Sequence, residues 1–69
     1  MKITYDKDVN VAYLYFKDIS PGEVNSTISL NDNINIDLDK NGKTLGIEIL
    51  NASQNLPSTA LKSAEIISN

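Results

Sequence analysis

Two groups of residues in this 69-residue chain have types and spacing that could do chemistry. The first is Asp37-Leu38-Asp39-Lys40-Asn41-Gly42 followed by Glu48. It satisfies the calcium-loop spacing D-x-[DN]-x-[DN]-G-x5-E at every required position. Carboxylate and amide oxygens are the hard donors Ca²⁺ takes, the glycine permits a sharp turn, and a final glutamate can chelate with both oxygens. The second is Val11, Tyr13 and Tyr15, alternate positions of the run VAYLYF. A tyrosine combines a broad apolar ring with a polar tip, which suits it to protein interfaces.

Catalytic chemistry is poorly provided for. The chain has no histidine, so it lacks the usual general base and the commonest transition-metal ligand. It has no cysteine, so disulfides and thiolate metal sites are excluded. Ser58, Ser63 and Lys62 could formally supply a serine–lysine dyad, but a helix surface is their expected home. Asp37 and Asp39 form a carboxylate pair on an open strand, without a cleft that could separate their pKa values. Gly22, Gly42 and Gly46 are scattered and make no phosphate loop. The expectation is a non-enzymatic protein without a cofactor.

The elements that must position these residues follow from periodicity. Asn33 to Leu50 reads as a hairpin turning at Asn41-Gly42, because Asn-Gly between two apolar alternations favours a tight two-residue turn. Counting outward, Leu38 faces Leu45, Ile36 faces Ile47 and Ile34 faces Ile49. All six aliphatic side chains then share one face. The reverse face carries Asn33, Asn35, Asp37 and Asp39 opposite Gly46 and Glu48. These flanks alternate with period 2, whereas a calcium loop sits between helices. The expected state is therefore a hairpin with a solvated acidic face, and a weak cation site at Asp37, Asp39 and Glu48 is the alternative. Gly46 opposite Asp37 is expected to relieve crowding or permit twist.

Lys2–Asp6 and Val11–Phe16 form a second hairpin if Asp6 pairs with Val11, which sets Tyr5 opposite Ala12 and Ile3 opposite Leu14. Val11 to Phe16 is apolar without a break, the pattern of a strand buried on both faces. Val11, Tyr13 and Tyr15 fall on the reverse of the aliphatic side. Ser20-Pro21-Gly22 is a turn signal within the loop 17–23. Val24–Leu30 is a third strand, and the turn Asn31-Asp32-Asn33 sets Ile28 opposite Ile36, with Asn33 in the left-handed position. Residues 51–55 form a polar connection. A helix over about 57–67 opens at Pro57 or Ser58 and presents Ala60, Leu61, Ala64 and Ile67 in a stripe. The spacing thus predicts an α+β domain over residues 1–69, with strands at about 2–6, 11–16, 24–30, 34–39 and 44–50. They form a five-stranded antiparallel meander, with one C-terminal α-helix packed on its aliphatic face. The tyrosine face is left either to pack beneath loop 17–23 through Ile19 or to meet another protein.

Composition narrows the partners. The net charge is −3, and six lysines with no arginine or basic cluster argue against nucleic acid. No apolar run reaches membrane-spanning length and the N-terminus lacks a signal-peptide core, so a cytoplasmic protein is expected. A chain this short is marginal alone. With disulfides and thiolate metal sites excluded, a homodimer or a small protein partner is the expected support, with Val11, Tyr13 and Tyr15 as the candidate interface. The second functional class is a metal- or small-ligand-binding domain using Asp37, Asp39 and Glu48.

Nearly the whole chain resembles DUF2283, a family of small prokaryotic YuzE-like proteins. The resemblance rests most on Tyr5-Asp6 and on Gly46-Ile47-Glu48-Ile49-Leu50-Asn51-Ala52-Ser53. It implies a compact antiparallel sheet with a helix, and it brings no catalytic residues to carry over. Asn51 stands where many relatives have Asp, and the turn around Asp32 is looser than usual.

Overall fold

The computed structural model describes residues 1–67. Five strands lie close to where periodicity places them: β1 (Lys2–Asp6), β2 (Val11–Tyr15), β3 (Ser26–Ser29), β4 (Ile34–Leu38) and β5 (Thr44–Leu50). They are followed by α1 (Ala52–Asn55), α2 (Ser58–Lys62) and a sixth strand, β6 (Glu65–Ile67). All six strands form one sheet in the order β3-β4-β5-β2-β1-β6. The expected five-stranded meander with one C-terminal helix is therefore corrected to a six-stranded mixed sheet with two short helices.

The order changes because β2 pairs with β5 and not with β3. β5, at seven residues, offers β2 a full five-residue ladder with aliphatic partners, where β3 has four residues and one aliphatic side chain. The match sets Leu14 opposite Ile47 and Ala12 opposite Ile49. Residues 16–25 then carry the chain past β5 and β4 to the far edge, where β3 pairs with β4. This connection is laced by its own contacts. Lys17 Nζ lies 2.5 Å from Glu23 Oε2, Glu23 accepts the Ser20 amide at 2.9 Å, and the Glu23 amide donates back to the Ser20 carbonyl at 3.0 Å. Gly22 takes a φ of 80°, as a Pro-Gly turn demands. Lys17 and the Ser20 amide hold the Glu23 carboxyl below its ordinary range.

The β1–β2 register is as expected, with Asp6 opposite Val11 and Ile3 opposite Leu14. In the β4–β5 hairpin Ile34 faces Ile49 and Ile36 faces Ile47, also as expected. The tip differs. The Asp39 amide donates to the Lys43 carbonyl at 2.9 Å and only Gly42 is left-handed, so the loop has three residues instead of two. The Asp39 carboxylate accepts the Asn41 and Lys43 amides, each at 2.9 Å, and this spares Asn41 a positive φ. Leu38 consequently pairs with Thr44 and not Leu45, and an irregularity between Asp37 and Leu38 restores the register beyond it. At the β3–β4 turn the expected left-handed Asn33 is also corrected. Asn31 organises the turn instead, its side-chain oxygen accepting the Asn33 and Ile34 amides at 2.8 and 3.0 Å.

The helix expected over 57–67 stops at Lys62 because the chain after it prefers a strand. Ile66 and Ile67 are adjacent β-branched residues, stiff in a helix and favoured on a pleated surface. The outer edge of β1 receives Glu65–Ile67 in parallel, with Ile66 beside Tyr5. What remains of helix is a turn on either side of Pro57. Ala52 is fully buried, and with Ala12 and Ile49 it forms the buried cluster against which Tyr5, Ile34, Ile47, Leu56 and Leu61 pack.

A knot of amides fixes that corner. Asn10 and Asn51 both take left-handed conformations, with φ of 58° and 50°. Asn10 accepts the Tyr5 hydroxyl at 2.8 Å and the Ser53 amide at 3.0 Å, and donates to Ser53 Oγ at 3.0 Å. Its carbonyl takes the Ala52 amide at 2.9 Å. Asn51 donates to Asn33 at 2.9 Å. Asparagine and aspartate are the side chains that tolerate this backbone region most readily, and of the two only asparagine can donate the bond to Asn33.

Candidate docking surface

The register divides the strand residues between two faces. One carries Ile3, Tyr5, Ala12, Leu14, Ile28, Ile34, Ile36, Ile47 and Ile49, the other Thr4, Val11, Tyr13, Tyr15, Thr27, Asn35, Asp37, Gly46 and Glu48. The candidate interface residues Val11, Tyr13 and Tyr15 thus share a face with Asp37 and Glu48, two of the candidate metal ligands. All three interface candidates are half-buried.

Tyr13 is the pivot of this face. Its strand neighbour on β5 is Glu48, two residues beyond Gly46, and its ring leans along the sheet across Gly46. A Cβ built on Gly46 would stand 2.6 Å from Tyr13 Oη, closer still to Cε1, and 2.7 Å from the Leu14 carbonyl oxygen. The missing side chain is therefore the space the tyrosine occupies, which gives Gly46 a more specific role than general relief of crowding. Across it, Tyr13 donates to Asp37 Oδ2 at 2.6 Å, and Thr27 donates to Asp37 Oδ1 at 2.6 Å. Both carboxylate oxygens of Asp37 are engaged. Burial raises the Tyr13 pKa well above the ordinary tyrosine value, and the Asp37 hydrogen bond and charge push it further the same way. Glu48 accepts Asn35 Nδ2 at 3.0 Å.

The three carboxylates of the calcium-loop pattern are not brought together. Asp37 faces Tyr13 and Thr27, Glu48 faces Asn35, and Asp39 closes the hairpin tip. Among the described residues no group of three or more acidic side chains could hold a metal ion. The spacing matches the pattern, but each carboxylate is taken up by its own neighbours: Asp37 and Glu48 share a face yet bond to different residues, and Asp39 is engaged by the amides of the tip.

Tyr15 has a different setting. Its ring centroid lies 4.6 Å from that of Tyr13 with the planes inclined at 52°, and Lys2 Nζ sits 4.8 Å from the Tyr15 centroid. Beyond the two rings runs the 16–25 connection. Between them is a shallow, open cleft of about 430 Å³ lined by Tyr13, Tyr15, Ile19, Ser20, Pro21 and Val24. Ile19 stands where the sequence places it, beside the tyrosines, but the loop leaves a gap and does not seal the rings. The role of Pro21 and Val24 in this cleft was hidden in the sequence, because it depends on the crossover to β3. Ser58, Lys62 and Ser63 lie on or next to α2, where Ser63 Oγ donates to the Thr59 and Ala60 carbonyls. No helix among the described residues is long and apolar enough to cross a membrane.

No curated relative and no solved structure matches the chain. A family model described as a protein of unknown function matches residues 2–53, three quarters of the sequence. The matched segment ends at Ser53, in the asparagine knot, and takes in the tyrosine face and the whole of the β4–β5 hairpin. On that match, the chain belongs to the DUF2283 family.

Proposed function

We propose that this protein is a non-enzymatic interaction module that docks a protein partner on its tyrosine face, at the cleft between Tyr15 and the Ile19–Val24 loop. The cleft itself carries the reading. It is large enough to seat one or two side chains, and its walls are an aromatic ring pair, a proline and two aliphatics. Tyr13 keeps its hydroxyl committed to Asp37, so its ring is held in place before any partner arrives. Such preorganisation lowers the ordering cost of binding. The charged strand residues of this face are Lys2, Asp6, Asp37, Glu48 and Glu65, an acidic balance that favours a partner with a basic rim. The lack of histidine and cysteine and the internal pairing of Asp37 and Glu48 support a binding role over a catalytic one.

The test uses the isotope-labelled full chain titrated with short extended peptides, each holding one aromatic or aliphatic anchor between lysines. Amide shifts are expected at Tyr15, Ile19 and Val24, and Tyr15→Ala should weaken them about tenfold. Shifts confined to the lysine-facing acidic residues, unchanged by Tyr15→Ala, would overturn the cleft reading.

A further inference from the structure

We propose that Asn41 is a site of spontaneous covalent modification, converted to aspartate and isoaspartate through a cyclic imide with Gly42, at a rate held down by Asp39. Three observations meet at the tip of the β4–β5 hairpin. Of the asparagines, Asn41 alone is followed by a glycine. Both residues are exposed, and a Cβ placed on Gly42 would meet nothing within 4 Å. The amides of the tip are all tied to one residue. The Asp39 carbonyl accepts the Gly42 amide at 3.0 Å, and its carboxylate accepts the Asn41 and Lys43 amides, each at 2.9 Å.

Asparagine is a labile side chain because its amide carbon lies within reach of the next backbone nitrogen. That nitrogen must give up its proton to react, and a glycine, without a Cβ, leaves the approach open. The Gly42 nitrogen bonds to Asn41 Cγ, the Cγ–Nδ2 bond breaks, and Nδ2 leaves as ammonia with the displaced proton. Water then opens the imide at one of its two carbonyls. Cleavage at Cγ yields aspartate, and cleavage at the backbone carbonyl carbon yields isoaspartate. One water enters, one ammonia leaves, and nothing is oxidised or reduced. Asp39 opposes the first step. While the Gly42 N–H points at the Asp39 carbonyl, the nitrogen keeps its proton and is turned away from the Asn41 side chain. Reaction therefore waits for the tip to open, and local opening of an exposed turn costs little. The product adds one negative charge to a chain that carries −3. The new carboxylate arises in a cleft of about 480 Å³ whose lining already includes Glu23 and Asp39. The isoaspartate route also lengthens the backbone within the tip. This chemistry stands apart from the tyrosine cleft, since it needs no partner and uses other residues.

The test incubates the full chain in mildly alkaline buffer, folded and in guanidinium chloride, with circular dichroism as the check on folding. Peptide mapping by mass spectrometry places each amide-to-acid conversion, and enzymatic methylation reports isoaspartate. Conversion is expected first at Asn41 in both states, about tenfold slower in the folded chain. Asp39→Ala leaves the reacting atoms in place and removes the carboxylate acceptor, so it should raise the folded rate at Asn41 about threefold or more. Asp39→Asn keeps an oxygen that can accept the same two amides, so it should stay near the wild-type rate. Acceleration shared with Asn25, which precedes Ser26, marks loss of fold, and the folded-against-denatured comparison of the wild type then decides. A folded chain with no conversion at Asn41 after about ten half-lives of the denatured chain would overturn the proposal. So would equal rates in the two states, or a folded Asp39→Ala chain that reacts no faster than wild type.

Discussion

The two faces of the sheet close themselves by different means. On the tyrosine face, polar groups find partners within the sheet: Tyr13 and Thr27 converge on Asp37, and Asn35 meets Glu48. Among the described residues no buried side-chain nitrogen or oxygen lacks a hydrogen bond. On the aliphatic face, burial has to come from other layers, and the helix-side cluster reaches Tyr5, Ala12, Ile34, Ile47 and Ile49. The buried hydrophobic residues are Ala12, Leu45, Ile49 and Ala52, two of them alanines. The contrast is instructive because the tyrosine face, the less apolar of the two, is the more self-sufficient. Hydrogen bonds within a sheet need only correct register, whereas an apolar row needs a second layer.

Substitutions can break this contrast. The largest effect is expected from Ile49→Ala, which opens a cavity beneath α1 at a residue 7 % exposed. A loss of about 3 kcal/mol should appear as a lowered urea midpoint with unchanged slope. Gly46→Ala comes next, at about 2 kcal/mol, because the new Cβ meets both the Tyr13 ring and the Leu14 carbonyl. Its signature is a changed near-ultraviolet tyrosine signal, which Ile49→Ala should leave largely intact.

Tyr13→Phe should cost about 1.5 kcal/mol near neutral pH, since it removes a hydroxyl donor to a charged acceptor. It also carries a pH test. The folded pKa of Tyr13 is raised above the unfolded value of about 10. The unfolded chain therefore loses its proton first as pH rises, so this contribution is complete below about pH 10 and declines above it. Wild-type unfolding free energy should fall more steeply above pH 10 than that of Tyr13→Phe. The smallest effect sharpens the contrast from the other side. Ile28→Ala should cost only about 0.5 kcal/mol, since half of its surface is already in water. A cost comparable to Ile49→Ala would mean that Ile28 is covered.

Local pairing was legible in the sequence. The β1–β2 register, the Pro-Gly turn and the inner β4–β5 pairs follow from period-2 alternation and turn chemistry alone. Strand order was not, because the position of β3 is set by β2 preferring β5, a choice between distant strands that no local pattern records. Residues 63–67 depart from their periodicity for a related reason. Ala60, Leu61, Ala64 and Ile67 do recur at helical spacing, but the free edge of β1 offers Glu65–Ile67 backbone partners that a helix cannot match. At the candidate sites, sequence placed Tyr13 and Tyr15 on one face and Gly46 opposite Asp37. It could not show that the Tyr13 ring fills the gap between them. The residues most specific to the family resemblance prove structural in this chain. Tyr5, Asn51 and Ser53 bind the asparagine knot, and Gly46 admits a ring.

The hairpin tip has a consequence of its own. The β4–β5 ladder can close with three loop residues and an unopposed Leu45 on β5, as it does, or with two and no surplus, and both solutions meet again at Asp37 and Gly46. The surplus residue therefore behaves as a dislocation that can slide along 38–45 while the rungs beyond it stay fixed. Deuterium should enter the Thr44 and Leu45 amides well before Ile47, and deleting Lys40 should anneal the defect without disturbing the rest of the ladder.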